Sequence, residues 1–298
     1  MKPNTKLEEI LRTVPEDLKE HYISIIQGET KEEETPPEFY TLLEMNAAMS
    51  GETKPFIYTT GWRDLDAIAA GGMAAGETIL CAAATGVGKT HFASCLAANF
   101  AKMNHPVFYL TMEDGWRSIM DKFRTLGVIE TLGDKIIVMK EDEFTIKNAM
   151  AILKRAIDDA SLIIIDNLFS LPLRQGNKTD YWTSQAEWVD DLCNMVRSTD
   201  STCLILHHVN KDKSGASDRW QIAGSTRLVN RVAQVWSIQR DNTVDPLQLA
   251  IKSQKNRRSA FGGECFLKSG ENGELFGVAP DSLSTTLKHS FKNFNFEK

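Results

Sequence analysis

Short apolar runs alternate with longer stretches of mixed apolar and polar residues along most of the chain. The apolar runs predict strands over residues 77–83, 107–111, 135–139, 162–166 and 202–206. In the stretches between them apolar residues recur every three or four positions, which predicts helices over residues 90–103, 116–126, 146–159 and 184–198. A run of shorter strands follows toward the C-terminus. Because strands that alternate with helices pair in parallel, we predict an α/β fold whose mostly parallel, twisted sheet carries helices on both faces.

The N-terminal segment has a different pattern. Residues 1–38 are polar and rich in acidic side chains, and the pair Pro36-Pro37 marks a break. Residues 38–50 predict a short helix that ends at Gly51, with one apolar stripe formed by Phe39, Leu42, Leu43, Met45 and Met49. The apolar stripe of so short a helix must pack against another part of its own domain or against a neighbouring molecule. We therefore predict an N-terminal extension over residues 1–54 and one larger domain over residues 55–298.

Composition excludes several classes of protein. The 298 residues carry a formal net charge of -6, which argues against wholesale coating by nucleic acid but leaves room for a local basic path. No apolar run approaches the ~20 residues of a membrane span, and the first residues lack the apolar stretch of a signal peptide. The five cysteines include no CxxC pair, so we expect reduced thiols and no zinc site. These features predict a cytoplasmic protein without a membrane partner.

The strongest motif is the segment Ala83-Ala84-Thr85-Gly86-Val87-Gly88-Lys89-Thr90, which lies between a predicted strand and a predicted helix. It matches the P-loop pattern G-x-x-x-x-G-K-[ST], with Ala83 in place of the first glycine. In such a loop the backbone N–H groups surround the phosphates of a nucleotide at a helix N-terminus. Lys89 would reach the β- and γ-phosphates, and the Thr90 hydroxyl would hold Mg²⁺. A chance glycine-rich turn is the alternative. The residues predicted to bind ATP with Mg²⁺ are Thr85, Gly86, Val87, Gly88, Lys89, Thr90 and His91.

Acidic residues follow two other predicted strands. Asp166 ends the apolar run 162–165, at the sheet edge where open α/β folds bind ligands, and would hold Mg²⁺ through water. Glu113 follows the strand 107–111, where a carboxylate facing the P-loop can deprotonate the attacking water. Asp114 is the alternative base, and helix capping is the alternative role for all three acids.

Histidines and basic loops follow the remaining strands at the same edge. His207 and His208 come after the strand 202–206, where an imidazole can bond to the γ-phosphate and report its loss. A packed structural histidine is the alternative for either. Two polar loops, residues 173–182 and 211–223, interleave basic and aromatic side chains as sites for single-stranded DNA do, although solvated surface loops have the same composition. The candidate DNA contacts are Arg174, Lys178, Lys211, Lys213 and Arg219.

The last basic cluster covers residues 252–258. Lys255 and Arg257 have alternate spacing, so on a strand end they would point to the same side. A fixed positive pair of this kind can stabilise charge on a γ-phosphate as an arginine finger does, in cis or from a neighbouring subunit. A hairpin turn with solvated charges is the alternative, and the spacing by itself favours it.

Taken in order, these motifs resemble the RecA-like motor domain of DnaB-type hexameric replicative helicases, which bacteriophage primase–helicases share. The resemblance runs from about residue 57 to about residue 280 and includes Thr60-Gly61-Trp62, Gly71-Gly72, the P-loop, Leu110–Glu113, Ile164–Asp166, His207–Lys211, Gly224-Ser225, Lys255-x-Arg257 and Gly262-Gly263. It implies that Glu113 is the catalytic base and that His208 is the γ-phosphate sensor. It also implies that Lys255 and Arg257 enter the next subunit's ATP site, and that the helix near residues 38–50 is a linker helix docked on that neighbour.

The resemblance implies an ATP-hydrolysing DNA helicase, a homo-oligomer that forms a hexameric ring and moves along single-stranded DNA in the cytoplasm. A separate primase, polymerase or loader would be its further partner. About 50 residues precede the core, too few for the N-terminal primase or scaffold domain of such helicases. Their usual Asp after the Gly-Ser segment is also missing, with Ala233 and Gln234 near that place. Two alternatives share the same core: a RecA- or RadA-like recombinase filament, and a non-motor ATP switch that regulates or loads a replication partner.

Overall fold

The computed structural model describes residues 42, 57–140, 145–168, 178–208, 226–240, 245–260 and 262–278. The chain divides between Thr53 and Lys54, and every described residue except Leu42 belongs to the second unit. Leu42 is helical. The rest of the helix predicted over residues 38–50 lies outside the described residues, so its role as a linker remains a prediction.

The second unit is built around a large sheet. Its strands are β3 (Thr78–Ala83), β4 (Val107–Thr111), β5 (Ile136–Met139), β6 (Leu162–Asp166), β7 (Thr202–His208), β8 (Gln234–Gln239), β9 (Gln248–Asn256), β10 (Glu264–Ser269) and β11 (Leu275–Gly277). Among the described residues the strand order is β11-β10-β9-β8-β3-β7-β6-β4-β5. The strands from β8 to β5 pair in parallel, whereas β9, β10 and β11 are added as antiparallel hairpins. A separate pair joins β1 (Ile57–Tyr58) to β2 (Met73–Ala74).

Helices cover both faces of this sheet. They are α1 (Arg63–Ile68), α2 (Lys89–Lys102), α3 (Trp116–Thr125), α4 (Ile129–Leu132), α5 (Ile146–Asp159), α6 (Lys178–Arg197) and α7 (Thr226–Arg231). Strand β6 shows how the two faces are built, since alternate side chains of a strand point to opposite sides. Ile164 packs into the core beneath α2 and α3, and Ile163 and Ile165 pack into the core beneath α5 and α6. The predicted mostly parallel α/β fold is confirmed.

The elements predicted individually agree with the structure to within one residue except at two boundaries. Helix α6 begins at Lys178 rather than at Ser184, so Lys178 lies in a helix and not in the loop predicted over residues 173–182. The prediction was wrong there because no proline or glycine follows Gly176 before the helix ends, and an uninterrupted run of helix-compatible residues extends the helix toward its N-terminus. Strand β7 continues to His208, so both histidines belong to the strand.

Arg258 ties the end of β9 to the turn that follows α1. Its guanidinium lies 3.0 Å from Glu77, between Nε and Oε1, and donates hydrogen bonds to the carbonyl oxygens of Ala69 and Ala70 at 2.7 and 2.8 Å. A further bond reaches the carbonyl oxygen of Gly72. The ion pair is largely shielded from solvent, with side-chain exposures of 18% for Arg258 and 13% for Glu77.

Replacing Arg258 by alanine is expected to lower the free energy of unfolding by about 3 kcal/mol, because it leaves the Glu77 carboxylate shielded without its counter-charge. Urea unfolding followed by circular dichroism measures this change. The control is Arg155→Ala, since the Arg155 side chain is 87% exposed and its weak pair with Asp159 lies on the surface. Equal unfolding midpoints for the two variants would contradict an anchoring role for Arg258.

Candidate nucleotide site

The P-loop joins β3 to α2 at the carboxyl edge of the parallel strands. Gly86 and Gly88 adopt left-handed backbone conformations, with φ of 78° and 110°. Gly88 is the N-cap of α2, and Lys89 is the first residue of that helix. A side chain at Gly88 would be strained by this φ angle, and its Cβ would lie 3.1 Å from Nη2 of Arg240. The loop therefore has the backbone shape that wraps phosphates at a helix N-terminus.

Lys89 is buried, with 5% of its surface exposed. Its Nζ donates to the carbonyl oxygens of Ala83 and Ala84, both at 3.2 Å, and lies 3.1 Å from Nδ1 of His208. Burial lowers the pKa of the Lys89 ammonium, whereas the nearby negative charges of Glu113 and Asp166 oppose that shift. The ammonium is thus held inside the loop by neutral acceptors that a phosphate group can replace.

Asp166 ends β6 and is 1% exposed. Its Oδ2 accepts a hydrogen bond of 2.9 Å from the Tyr109 hydroxyl. Burial raises the pKa of the Asp166 carboxyl above its usual value, and hydrogen bonds from Thr90 and Tyr109 oppose the shift. Oδ1 has no hydrogen-bond partner among the described residues, although it is buried. A buried oxygen without a partner beside the Thr90 hydroxyl fits a Mg²⁺ site, because Mg²⁺ in nucleotide sites takes few protein ligands and completes its shell with phosphates and water.

Glu113 and His208 approach each other over the P-loop. The Nε2 of His208 lies 2.9 Å from Oε2 of Glu113, and its Nδ1 faces Lys89 and the Thr85 hydroxyl, the latter at 3.3 Å. His208 side-chain exposure is 18% and that of Glu113 is 39%. The structure therefore brings the predicted sensor and the predicted base to the same place as the P-loop lysine.

The alternative candidates for the base and the sensor, Asp114 and His207, make different contacts. Asp114 pairs with Lys122 of α3, with 3.1 Å between Oδ2 and Nζ. His207 is fully buried, in contrast to its neighbour. Because successive strand residues face opposite sides, one of the two histidines must point away from the site. This geometry favours Glu113 over Asp114 as the base, and His208 over His207 as the sensor.

Two site residues were missed in the sequence analysis. Asn167, which directly follows Asp166 and is fully buried, contacts both Glu113 and His208. Arg240 follows β8 and lies beside Gly88, and burial lowers the pKa of its guanidinium. Both are polar residues at the carboxyl end of a parallel strand, which was the signal that identified Glu113 and Asp166. Extending this criterion to the residue after Asp166 and to the residue after β8 would have identified both of them.

His91, predicted to bind nucleotide, packs against the turn between β10 and β11. A Cβ on Gly273 of that turn would lie 3.5 Å from Cε1 of His91. Burial lowers the pKa of the His91 imidazole, and the charge of Arg240 adds to the shift. The side chain therefore faces the C-terminal hairpins, while the backbone of His91 remains in the first turn of α2.

Lys255 and Arg257 lie side by side at the end of α7. Lys255 Nζ donates to the carbonyl oxygens of Val229 and Val232 at 2.6 and 2.9 Å, and Arg257 donates to the carbonyl oxygen of Asn230. They point to the same side, as their spacing predicted. Their hydrogen-bond partners among the described residues come from α7 and its C-terminal side, and Arg257 is exposed.

Four of the predicted DNA contacts, Arg174, Lys211, Lys213 and Arg219, lie outside the described residues, and the fifth, Lys178, is described only by its backbone. In the part of the chain that is described, no helix combines the length and the apolar composition needed to cross a lipid bilayer.

Comparison with solved structures confirms the predicted RecA-like P-loop ATPase fold. A KaiC-like protein from the hyperthermophilic archaeon Pyrococcus horikoshii OT3 has a TM-score of 0.58 at 20% identity, covering 75% of this chain and 99% of its own. A DnaB-like replicative helicase, solved in a study of its interactions with primase, has a TM-score of 0.65 at 16% identity, covering 92% of this chain and 74% of its own. A third structure, an isolated ATPase domain, has a TM-score of 0.63 at 14% identity, covering 89% of this chain and 100% of its own. The resemblance to DnaB-type helicases is thus confirmed at the level of the fold.

No curated protein sequence matches the chain. The model of the AAA domain family, in contrast, matches residues 63–214, which is just over half of the chain and includes the P-loop, Glu113, Asp166 and His208. The chain therefore belongs to the AAA domain family.

Proposed function

We propose that this protein is the ATP-driven motor of a ring-forming DNA helicase that moves along single-stranded DNA during replication. The observation that carries the proposal is the meeting of Lys89, Glu113 and His208 at one P-loop, while the pair Lys255 and Arg257 contacts a different part of the chain. Among the described residues, the pair predicted to act as the arginine finger therefore contacts α7 and not this P-loop. A ring of identical subunits would accommodate that separation, because each neighbour can supply the pair to the next site.

In the proposed reaction the backbone of residues 85–91 holds the phosphates of ATP, and Lys89 binds the β- and γ-phosphate oxygens. Glu113 takes a proton from water as the water oxygen bonds to the γ-phosphorus. The bond from that phosphorus to the β–γ bridging oxygen breaks, and ADP leaves. Thr90 and Asp166 would hold Mg²⁺, which neutralises charge on the phosphate oxygens when bound. His208 stands where it can bond to the γ-phosphate and respond to its loss.

Each ATP site would lie between two subunits, with Arg257 and Lys255 supplied by the neighbour. In the sequence, Arg174, Lys211, Lys213 and Arg219 belong to segments predicted as loops, and these segments follow strands β6 and β7, whose ends carry Asp166 and His208. Loss of the γ-phosphate would therefore shift the predicted loops, which follow site residues in the chain. A net charge of -6 is compatible with DNA binding if the positive side chains line a central channel while the outer surface remains acidic.

The test is phosphate release with and without single-stranded DNA, together with unwinding of a fluorescent forked duplex and the oligomeric state by mass photometry. We expect DNA to stimulate turnover severalfold, ATP to be required for unwinding, and a ring of six subunits to form. Glu113→Gln is the negative control, because it keeps the shape of the side chain and removes the base. Turnover that DNA stimulates without any unwinding would contradict the helicase and favour a recombinase filament.

A non-motor ATP switch is the second candidate. The fold likeness to a KaiC-like protein supports it as an alternative. It predicts ATP-dependent binding of a partner without processive, DNA-stimulated turnover, so the same three measurements separate it from the helicase.

A further inference from the structure

Asn167 lies at the centre of the contacts between the P-loop and the proposed base. Its side chain is fully buried, and its Nδ2 donates a hydrogen bond to Oε2 of Glu113. The same Nδ2 lies 2.8 Å from Nε2 of His208, which in turn lies 2.9 Å from that Glu113 oxygen. One carboxylate oxygen is therefore approached by an amide and by an imidazole.

The protonated lysine on the other side of the imidazole decides which atoms donate. An ammonium can only donate, so Nδ1 of His208, 3.1 Å from Lys89 Nζ, must be the acceptor. In the neutral ring the proton then sits on Nε2, which donates to Oε2 of Glu113. The amide of Asn167 is also a donor, so it cannot bond to that protonated Nε2 and must bond to Glu113. Two donors thus converge on Oε2, while no described residue donates to Oε1.

We infer that Asn167 is a positioning residue for ATP hydrolysis, which holds the Glu113 carboxylate by Oε2 and directs Oε1 toward the attacking water. The inference rests on the proposed function, because it gives Glu113 a partner in the same reaction. Glu113 needs such a partner because its side chain is 39% exposed and stands beyond the end of β4, where packing does not fix its rotamer.

A buried amide at this position has two properties that the reaction requires. Asn167 directly follows Asp166, so it is fixed to the strand end that carries the proposed Mg²⁺ ligand. The amide of Asn167 is uncharged and can donate a hydrogen bond whatever charge the phosphate carries. His208, in contrast, can turn toward the γ-phosphate once Lys89 binds phosphate instead of its Nδ1. Asn167 would then be the donor that still holds Glu113 while ATP is bound.

The first test is the steady-state kinetics of Asn167→Asp, which keeps the shape and replaces the donor by a carboxylate that repels Glu113. We expect kcat to fall about 10- to 100-fold, the loss typical of a misplaced catalytic group, with the KM for ATP nearly unchanged. Asn167→Gln retains an N–H donor and should recover part of the loss. If Asn167→Asp does not fold, Asn167→Ala takes its place with the same expectation. Asn99→Asp is the matched control, because its amide donates a 3.0 Å bond to the Thr60 carbonyl outside the site.

A double-mutant cycle then separates positioning from general damage. If Asn167 acts through Glu113, the aspartate substitution should cost little more in a Glu113→Gln background than Glu113→Gln costs by itself. Equal fold-losses in both backgrounds would overturn the inference, as would an unchanged or increased kcat in Asn167→Asp.

A measurement without nucleotide tests the contact itself. In the ¹⁵N-labelled protein, the Asn167 side-chain amide resonance, assigned by its loss in Asn167→Asp, should move clearly upon Glu113→Ala and little upon Asp114→Ala. No movement upon Glu113→Ala would overturn the inference even if the protein hydrolyses ATP. A protein that shows the shift but hydrolyses no ATP with or without DNA would instead contradict the proposed function.

Discussion

Replacing Lys89 by alanine is expected to reduce ATP turnover by about 1000-fold, the upper range for loss of one preorganised donor at a site of developing charge. The structure gives the physical reason. The ammonium is buried and held by two backbone carbonyls and by His208, so it is already desolvated and placed before a phosphate arrives. Little reorganisation is then needed when charge develops on the γ-phosphate.

Phosphate release at saturating ATP, with single-stranded DNA present, measures this loss. Lys122→Ala is the control, because Lys122 lies in the last turn of α3 and its ammonium pairs with the partly exposed carboxylate of Asp114. Its removal should leave turnover nearly unchanged, since exposed pairs contribute little. Turnover of Lys89→Ala within about tenfold of wild type would correspond to less than about 1.4 kcal/mol of transition-state stabilisation, and would contradict the role of Lys89.

Replacing Arg257 by alanine is expected to lower turnover by about 1000-fold as well, the lower range for an arginine finger, while ATP binding stays intact. Arg257 is exposed just after β9, and its guanidinium donates to the Asn230 carbonyl at the end of α7. It therefore has access to a neighbouring subunit. Arg155→Ala, which removes an 87% exposed arginine on α5, is the matched control and should be neutral.

Mixing subunits distinguishes a finger in trans from one in cis. Lys89→Ala and Arg257→Ala rings should each be inactive, but a mixed ring contains sites with Lys89 from one variant and Arg257 from the other. At equal amounts about a quarter of the sites would be complete if subunits assemble at random around a head-to-tail ring. Recovered turnover supports the shared site. Without recovery in rings shown to be mixed, Arg257 does not act on the neighbouring site.

The fold was predictable in most of its elements because local pattern and tertiary structure agree. The run Leu162–Ile165 is apolar on both faces, and the structure buries the two faces in different cores, as expected for a central parallel strand. The start of α6 was not predictable to the same accuracy, since the six residues before Ser184 contain no breaker and can continue a helix or form a loop.

The candidate site was predictable where the spacing of residues within one short motif identifies each of them. Gly86, Gly88, Lys89 and Thr90 occupy fixed offsets along a short loop, so their predicted roles follow from spacing alone. The choices between Glu113 and Asp114, and between His207 and His208, could not be made by spacing, because each pair is adjacent in the chain. The structure separates them by the direction in which each side chain points.

The sequence by itself determined the order of the strands and helices from β3 to β7, the P-loop, and the polar residues at or just after the ends of β4, β6 and β7, because these depend on periodicity and on short-range spacing. Only the tertiary structure decided that Asn167 and His208 converge on one oxygen of Glu113, that Arg240 lies beside Gly88, and that Lys255 and Arg257 contact α7. These contacts join strands that are distant in the chain, and which side chains meet there depends on the pairing order of the sheet, which no local pattern encodes.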